Sequence, residues 1–400
     1  MGEKMTSNKA RKTKVEITIE GKNVSGDLAP YLKSVSFNDK TSAEVDDMTI
    51  TLDDKDELFC GDWMPMIGDS LEVEIKCTNW SYDTSEESLY CGCFEIDLVK
   101  ESGPPNTIEI KAVSMFNSNI RRQLRSVKYQ KTTFRTICKE IAQRHNLKLN
   151  FIAASIKNSS GQVVADDDDI EITAIDQTDQ SDLVFLSKLA ADNDYMLKLD
   201  SEILTVCSQE YLETQAAKFV ISKDDIKDRQ SGREGFNLYK EAKATYFDPN
   251  KKKSISATVS HKKAQYQFQN NSELAKKFNK TKQTKQSKKK AVPTTSKSYF
   301  DQANIYGGGK VLHIRQKFHS AKEAETTALA LLRKKNRGEW IISGDVMGNP
   351  ALMAGITVDI VDYGQFSGRY YIDSTTHSVG NSYRTSFTSH RVLGDIANDK

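Results

Sequence analysis

Between residues 15 and 113 the hydrophobic positions alternate with polar ones, as in β-strands that bury only one face. In the segment DDMTITLDD, for example, Met48, Ile50 and Leu52 fall on the same face. The same alternation marks VEITIEG, YLKSVSFND, LEVEIKC and TIEIKAV. Because Gly, Asp, Asn and Pro-Pro bound these short segments, we expect an antiparallel sheet that closes into a small barrel or sandwich.

The hydrophobic period changes to that of a helix in three places. The segment TTFRTICKEIAQRHNL predicts an amphipathic helix that begins after a threonine N-cap, and SDLVFLSKLAADND predicts a second helix capped by Ser181. The segment HSAKEAETTALALLRKKNRG predicts a third, in which Ser320 and Glu323 form a capping box. Between the second and third helices, YMLKLDSEILTV has the pattern of a β-hairpin.

The order of these elements predicts an α+β, mostly β fold with two similar small antiparallel β-barrels and a central α+β domain. We expect the chain to divide into a disordered N-terminal arm at 1–14, a first tube-like β-barrel at 15–120, the central α+β domain at 121–230 and a second tube-like β-barrel at 231–395. The second barrel contains the helix at 321–337 and a Lys-rich insertion at 262–297.

One motif occurs twice, near the two ends of the chain. The segments GDSLEVEI and GCFEIDL share with GITVDIVDYGQFSGRYYIDS the order Gly-x-[Ser/Thr]-[Leu/Val]-[Asp/Glu]-[Val/Ile] and then Gly-x-[Phe/Tyr]-x-Ile-Asp. The residues of this structural repeat are Gly68, Gly92, Asp97, Gly355, Gly368 and Asp373. We interpret the motif as a duplication, against convergence of ordinary strand-and-turn chemistry. The glycines are expected to form turns and Asp373 to cap a strand end, so that their loss disturbs assembly rather than chemistry.

The composition narrows the class of protein. A chain of 400 residues with 38% hydrophobic and 28% charged residues is long enough for two or three domains, each with its own core. It contains no run of about 18 apolar residues, so we expect no membrane-spanning helix. The six cysteines lack the spacing of a zinc site or a disulfide framework, and we expect reduced thiols. They are Cys60, Cys77, Cys91, Cys93, Cys138 and Cys207.

Positive charge is concentrated in one segment. The net charge is only +2, yet the range 262–297 holds eleven lysines and a single acid, Glu273, so the rest of the chain is acidic overall. Clustered lysines bind phosphates by releasing counterions. A solvated insertion in a loop, contact with an acidic neighbour in an assembly, and contact with nucleic acid all remain open for this segment.

The search for catalytic chemistry yields no catalytic, cofactor-binding or metal-binding residue. The segment YGGGKV lacks the full phosphate-loop spacing and is interpreted as a hinge, and ADDDDIEI lacks the alternation of a calcium loop and is interpreted as solvated. The histidines show no metal or Cys-His spacing, so each is expected to be a surface or strand residue. They are His145, His261, His313, His319, His377 and His390.

The order of the motifs, from about residue 15 to 392, resembles the phage late control D family. The segments that carry this resemblance are GDLAPYLKSVSFND, EVDDMTITLDD, WMPMIGDSLEVEI, GCFEIDLVKESGPPNTIEIKAVS, TTFRTICKEIAQRHNL, QSDLVFLSKLAADNDYMLKLD, GNPALMAGITVDI and GRYYIDSTTHSV. The family consists of baseplate hub proteins of contractile phage tails, which are similar to the N-terminal part of type VI secretion spike proteins. The Lys-rich segment departs from the family, so no role carries over there.

The resemblance implies a homotrimer whose duplicated barrels form a ring of six, which adapts a sixfold tail tube to a threefold spike. It implies the tail tube protein, central spike protein, tape measure protein and other baseplate proteins as partners, with no membrane insertion and no sequence-specific nucleic acid. No cofactor is implied. The expected location is the baseplate of a virion or phage-tail-like particle assembled in the bacterial cytoplasm. A lumen wall that is acidic or neutral lets DNA slide, which places the lysines outside the lumen.

Two other functions are weighed against this one. A tail-associated peptidoglycan-degrading enzyme requires a paired-carboxylate cleft, a Cys-His pair or a zinc site, and the sequence indicates none of these. A DNA-binding late-gene regulator requires a helix-turn-helix, but loop and strand separate the helices predicted at 133–145 and 182–192. We therefore expect a structural protein rather than an enzyme.

Overall fold

The largest element of the fold is a thirteen-stranded sheet. The computed structural model describes residues 9–41, 45–114, 118–157, 162–166, 169–200, 203–235, 238–249, 252–260 and 310–392. Within these ranges there are three further sheets, of four, three and two strands. The α+β, mostly β class predicted from the sequence is confirmed.

The first part of the large sheet, here called the first sheet unit, contains the strands predicted from the alternating pattern. Its elements are β1 Lys12–Ile19, β2 Lys22–Asn23, α1 Ser25–Leu28, β3 Leu32–Lys40, β4 Asp47–Asp53, β5 Ser70–Thr78, β6 Glu86–Ser102 and β7 Thr107–Ser114. The strands lie in the order β3-β4-β7-β6-β5-β1-β2, and neighbours are antiparallel. Alternate side chains enter one core, where Met48, Ile50 and Leu52 are at most 1% exposed.

The central domain follows, with both helices that the sequence predicts. Its elements are α2 Ser118–Arg122, β8 Leu124–Thr133, α3 Phe134–Arg144, β9 Lys148–Lys157, β10 Gln162–Asp166, β11 Glu171–Ser181, α4 Asp182–Asp192, β12 Tyr195–Asp200, β13 Ile203–Ser208 and α5 Gln209–Thr214. Thr133 caps α3 and Ser181 caps α4, each accepting a hydrogen bond from a backbone amide three residues on. The apolar faces of α3 and α4 share one core with strands β9, β13 and β12 of the four-stranded sheet and with the pair β8-β11.

The remaining chain returns to the large sheet but carries an inserted layer. It begins with β14 Phe219–Ser222 and β15 Lys227–Arg233. The insertion contains β16 Glu241–Asp248, β17 Lys253–Ser260, β18 Val311–Ile314 and α6 Ala321–Asn336, which pack around a core of their own. The chain then completes the second sheet unit with β19 Trp340–Met347, β20 Thr357–Val361, β21 Gly368–Val379 and β22 Tyr383–Arg391.

The two sheet units share one topology. In the second unit the strands lie in the order β15-β19-β22-β21-β20-β14, which matches β3-β4-β7-β6-β5-β1 both across the sheet and along the chain. One pairing differs, because β14 is parallel to β20 whereas β1 is antiparallel to β5. Among the strands in the described ranges, the last strand of either unit does not pair with its first, so the pairing does not close either unit into a barrel.

The element boundaries differ from the predicted ones in three respects. Strand β1 begins at Lys12 rather than at 15, because the basic residues before Val15 already pair with β5. Strand β14 lies within the predicted central domain at 121–230, and β15 crosses its boundary, yet both hydrogen-bond to strands of the second unit. The sheet β17-β16-β18 is separate from the large sheet, although the sequence analysis places it in the second barrel. The Lys-rich insertion predicted at 262–297 lies outside the described residues.

The core of the central domain depends on Phe134. Its ring is fully buried at the start of α3 and meets Phe151 and Tyr195 edge to face, with centroids 5.5 and 5.3 Å away. We expect Phe134→Ala to lower the free energy of unfolding by about 3–5 kcal/mol because it leaves a cavity. Val184→Ala, at a side chain that is 57% exposed on α4, should change it by less than about 0.5 kcal/mol. Urea denaturation of both variants measures the two changes in unfolding free energy. Equal changes would contradict the central role of Phe134 in this core.

Candidate functional site at the junction of the two sheet units

The repeated glycines occupy equivalent positions in the two sheet units. Gly68 and Gly355 both precede a strand with positive φ angles of 96° and 89°. The amide of Gly68 donates to the carbonyl of Ile96 at 2.8 Å, and the amide of Gly355 donates to the carbonyl of Ile372 at 2.9 Å. An L-residue rarely adopts this backbone conformation, so glycine relieves strain at the same point of both units.

The other repeat residues also match in their pairing. Gly92 lies opposite Val73, the fifth residue after Gly68, and Gly368 lies opposite Ile360, the fifth residue after Gly355. Each repeat then ends in an aspartate.

Both aspartates sit at a β-bulge. Asp97 is the unpaired residue where the register shifts between Ile96 and Leu98, and Asp373 is the unpaired residue between Ile372 and Ser374. A bulge bends the strand and increases its twist. Asp373, predicted to cap a strand end, lies inside β21, directly before the residues of that strand that pair with β3.

A direct strand pairing joins the two units. Residues Ser374–Val379 of β21 pair antiparallel with Val35–Lys40 of β3, and this set of residues is called the internal junction. At its end, the carbonyl of Asp373 accepts hydrogen bonds from the amide of Thr41 at 3.2 Å and from its hydroxyl at 2.9 Å. The junction thus begins at the bulge that the repeat motif encodes.

Two buried polar residues fix the internal junction from either strand. Asp39 on β3 accepts a hydrogen bond from the amide of Ala354 at 2.8 Å and pairs with Lys198 of the central domain. His377 on β21 stacks on Phe37 across the junction, with 6.1 Å between ring centroids. Asp39 is fully buried, so its carboxylate is satisfied only when both sheet units and the central domain are in place, whereas His377 crosses the junction through its stacking on Phe37.

His377 is held as a neutral ring. Its Nε2 donates to the carbonyl of Leu352 at 3.0 Å, and its Nδ1 accepts from the hydroxyl of Tyr383 at 2.8 Å. Burial lowers the pKa of His377 to about 4. The side chain is therefore a fixed hydrogen-bonding part of the junction near neutral pH.

An ionic cluster lies beside the junction, largely buried except at Asp373, whose side chain is 43% exposed. Its members are Asp194, Glu213, Arg333, Arg337, Asp373 and His390. Arg333 on α6 approaches Asp194 with 2.6 Å between Nε and Oδ2, and Glu213 with 3.2 Å between Nη2 and Oε2. Arg337, one turn later, contacts the same two carboxylates. The inserted layer is thereby held to the central domain by charges that are paired on both sides.

His390 extends the cluster into the second sheet unit. Its Nδ1 lies 2.8 Å from Oδ1 of Asp373, and its Nε2 lies 3.5 Å from Oε1 of Glu213. Burial disfavours a charged imidazole, but the two carboxylates outweigh that effect and raise the pKa of His390 to about 9. Burial likewise opposes ionisation of Glu213, yet Arg333 and Arg337 hold its pKa well below the usual range.

The structure brings together only part of the predicted site. Gly355 and Asp373 lie at the internal junction, whereas their equivalents Gly68 and Asp97 lie at the other side of the first unit. The sequence analysis missed the polar residues that hold the junction and the cluster. The only signal for the arginines was their i, i+4 spacing near the end of a predicted helix, which is equally typical of a solvated helix end.

The other candidates have structural explanations or lie outside the described residues. His145 is buried at the end of α3 with its Nε2 2.7 Å from Oδ2 of Asp182, so the expectation of a surface or strand position is wrong for this residue. Across the described ranges, no group of three His, Cys, Asp or Glu residues could hold a metal ion, and no helix is long and apolar enough to cross a bilayer. His261 and the glycines of YGGGKV are not described.

Sequence comparison connects this architecture to phage tails. No protein-family model matches the chain. Over 178 residues, which are 44% of this chain, the sequence is 28% identical to the probable baseplate hub protein of Escherichia phage P2. The chain is similar to phage baseplate hub proteins. The match spans 40% of the length of that relative, so less than half of the two chains is aligned.

Solved structures with the same fold cover nearly the whole chain. A 43 kDa tail protein of prophage MuSo2 from Shewanella oneidensis matches with a TM-score of 0.59 at 12% identity, covering 95% of this chain and 98% of that one. The tail protein from Neisseria meningitidis MC58 matches with a TM-score of 0.60 at 8% identity, covering 96% and 99%. At such identities the likeness is one of fold. The resemblance noted from the sequence motifs is confirmed by both kinds of comparison.

The equivalence of the repeated glycines can be tested by substitution. We expect Gly68→Ala and Gly355→Ala each to cost about 1–2 kcal/mol of unfolding free energy, because both positions require a positive φ. Neither added Cβ would lie closer than 3.4 Å to a neighbouring atom, so the cost is one of backbone conformation. Gly338→Ala is the control, with open space and no positive φ. Urea denaturation should show two similar losses and a control within about 0.5 kcal/mol; a neutral Gly68→Ala contradicts the equivalence.

The ionic cluster should make stability depend on pH. Since the folded-state pKa of His390 is about 9 and its ordinary value is 6.5, the protonated ring stabilises the fold fully below pH 6.5. This contribution, on the order of 3 kcal/mol, is lost as pH rises through 9. Between pH 6 and 10, the free energy of unfolding measured with heat or urea should therefore fall more steeply for the natural chain than for His390→Gln. His313→Gln, at an exposed position, should keep the full dependence of stability on pH. If His390→Gln also keeps it, the role given to His390 is contradicted.

Proposed function

We propose that this chain is the baseplate hub of a contractile phage tail or phage-tail-like injection particle. The observation that carries the proposal is the pair of sheet units with one strand order, joined edge to edge in a single sheet. Sequence similarity to the probable baseplate hub protein of phage P2 supports it, as does the fold shared with tail proteins.

The proposed hub is a homotrimer. A sixfold tail tube and a threefold spike need an adapter whose surface satisfies both symmetries. Three copies of a chain with two equivalent units provide six similar units around one axis, while the central domain and the inserted layer, which occur once in each chain, repeat only three times. The sixfold face would contact the tail tube protein and the threefold face the central spike protein, with the tape measure protein and other baseplate proteins as further neighbours.

The proposed role is mechanical and requires no reacting residue. Load that passes between tube and spike must cross from the sheet units to the central domain. Asp39 with Lys198, and Glu213 with His390, bridge those parts in the interior, where charges are shielded from water and from salt. Breaking one side of such a pair leaves an uncompensated buried charge, which resists separation of the parts.

Mass in solution tests the proposed assembly. We expect the purified 45.0 kDa chain to form a trimer at micromolar concentration and to gain the mass of the spike protein when the spike of the same particle is added. Light scattering coupled to size exclusion measures both. A bovine serum albumin sample mixed with the spike is the control for nonspecific gain. A monomer that is indifferent to the spike contradicts the proposal.

A further inference from the structure

The internal junction uses one edge from each sheet unit, and among the described strands the two equivalent edges have no partner. The first unit contributes β3, and the second contributes the outer half of β21 beyond the bulge. By the shared topology, β15 is the counterpart of β3, and the outer half of β6 is the counterpart of that part of β21. These two segments are the edges to explain.

The outer half of β6 is an open strand edge. Residues Leu98–Ser102, beyond the bulge at Asp97, pair with β7 on one side and with no strand of the described ranges on the other. The equivalent residues Ser374–Ser378 pair both with β22 and with β3. Leu98 is 42% exposed although it lies in the middle of a long strand. Such an edge readily accepts another strand.

Strand β15 is the second open edge. It pairs with β19, and within the described ranges no strand covers its other side. Its side chains are almost all exposed, in contrast to the alternating burial of its counterpart β3. Strand β4 corresponds to β19, so the residues of β3 that pair with β4 can be matched with the residues of β15 that pair with β19. This comparison makes Ser36 equivalent to Gln230 and Asn38 equivalent to Gly232. The register of the internal junction therefore predicts the register in which the two open edges would pair.

The side chains on the two edges are complementary in that register. The internal pairs Ser378–Ser36 and Thr376–Asn38 translate into Ser102 opposite Gln230 and Lys100 opposite Gly232. Lys100 then lies diagonal to Glu234 on one face of the sheet. On the other face, Glu101 lies diagonal to Arg229. Opposite charges at diagonal positions of an antiparallel pair favour that register.

An exposed apolar loop lies alongside the open edge of β6. The loop between β4 and β5 starts where the amide of Asp54 donates to the carbonyl of Asn106, and it ends where Gly68 donates to Ile96, so it spans this edge. It exposes four large apolar side chains, with exposed fractions between 47% and 66%: Trp63, Met64, Met66 and Ile67. The equivalent loop of the second unit packs against β3 through Ala354. A contiguous exposed apolar patch marks an interaction surface.

We propose that β15 of one copy pairs antiparallel with Leu98–Ser102 of a second copy, with the β4–β5 loop of that second copy packed over the new junction. The inference rests on the proposed homotrimer and names its subunit contact. The contact is head to tail, so three copies close a ring in which internal and intermolecular junctions alternate.

Disulfide trapping tests the contact and its register. In a Cys60→Ser background, which removes the exposed thiol, Ser102→Cys with Gln230→Cys places two thiols opposite each other across the proposed contact. Under mild oxidation we expect covalent dimers and trimers on a nonreducing gel. The control moves one cysteine by one residue, as Ser102→Cys with Ser231→Cys, so that its thiol points to the other face. We expect about tenfold less cross-linking in the control.

The outcomes separate the contact from the proposed function. A trimer by light scattering that cross-links no better than the control overturns this contact and leaves the homotrimer intact, whereas a monomer overturns both. If the cysteine variants fail to fold, the contact can be tested with the natural chain. Isotopically labelled and unlabelled copies are mixed and cross-linked with a carbodiimide. We expect mass spectrometry to find Lys100 of one copy joined to Glu234 of another, and the absence of that mixed-isotope product in a trimer also overturns the contact.

Discussion

Backbone pairing between β3 and β21 joins two sheet units that would otherwise each end in an open edge, and much of the remaining structure accommodates that pairing. The bulge at Asp373 directly precedes the residues of β21 that pair with β3. Buried Asp39 on β3 accepts its hydrogen bond from the amide of Ala354 in the second unit, and an unpaired buried polar group costs about 1–3 kcal/mol. The junction is therefore specified by polar side chains as well as by the sheet hydrogen bonds.

The same constraint explains the position of the charged residues. Sheet pairing holds the units edge to edge but gives no attachment for the central domain or the inserted layer. The ionic cluster supplies such an attachment beside the pair of Asp39 and Lys198. Arg333 of α6 and Arg337 just after it reach Asp194 and Glu213, and His390 reaches from β22. Because these groups are largely buried, they couple the parts of the chain only when all of them are assembled, which suits the mechanical role proposed for the hub.

Local patterns in the sequence predicted most elements and left the long-range contacts open. The alternation around Met48 and the caps at Thr133 and Ser181 act within a few residues, and the corresponding strands and helices are present. The repeat predicted equivalent glycines but not the bulge at Asp373, because register depends on the partner strand. Nor could it predict that β14 and β15 join the second unit, or that His390 meets Glu213, since such contacts join residues far apart in the chain.

We propose that one kind of edge pairing, seen between β3 and β21 within the chain, is used again between chains. Hydrogen exchange of the backbone amides, compared at dilutions that favour monomer and at concentrations that favour the assembly, tests it most directly. We expect Val35–Lys40 and Ser374–Val379 to stay protected at every concentration, while Leu98–Ser102 and β15 become protected only on assembly. Protection of these two segments that does not change with concentration, or rapid exchange at the internal junction, would contradict it.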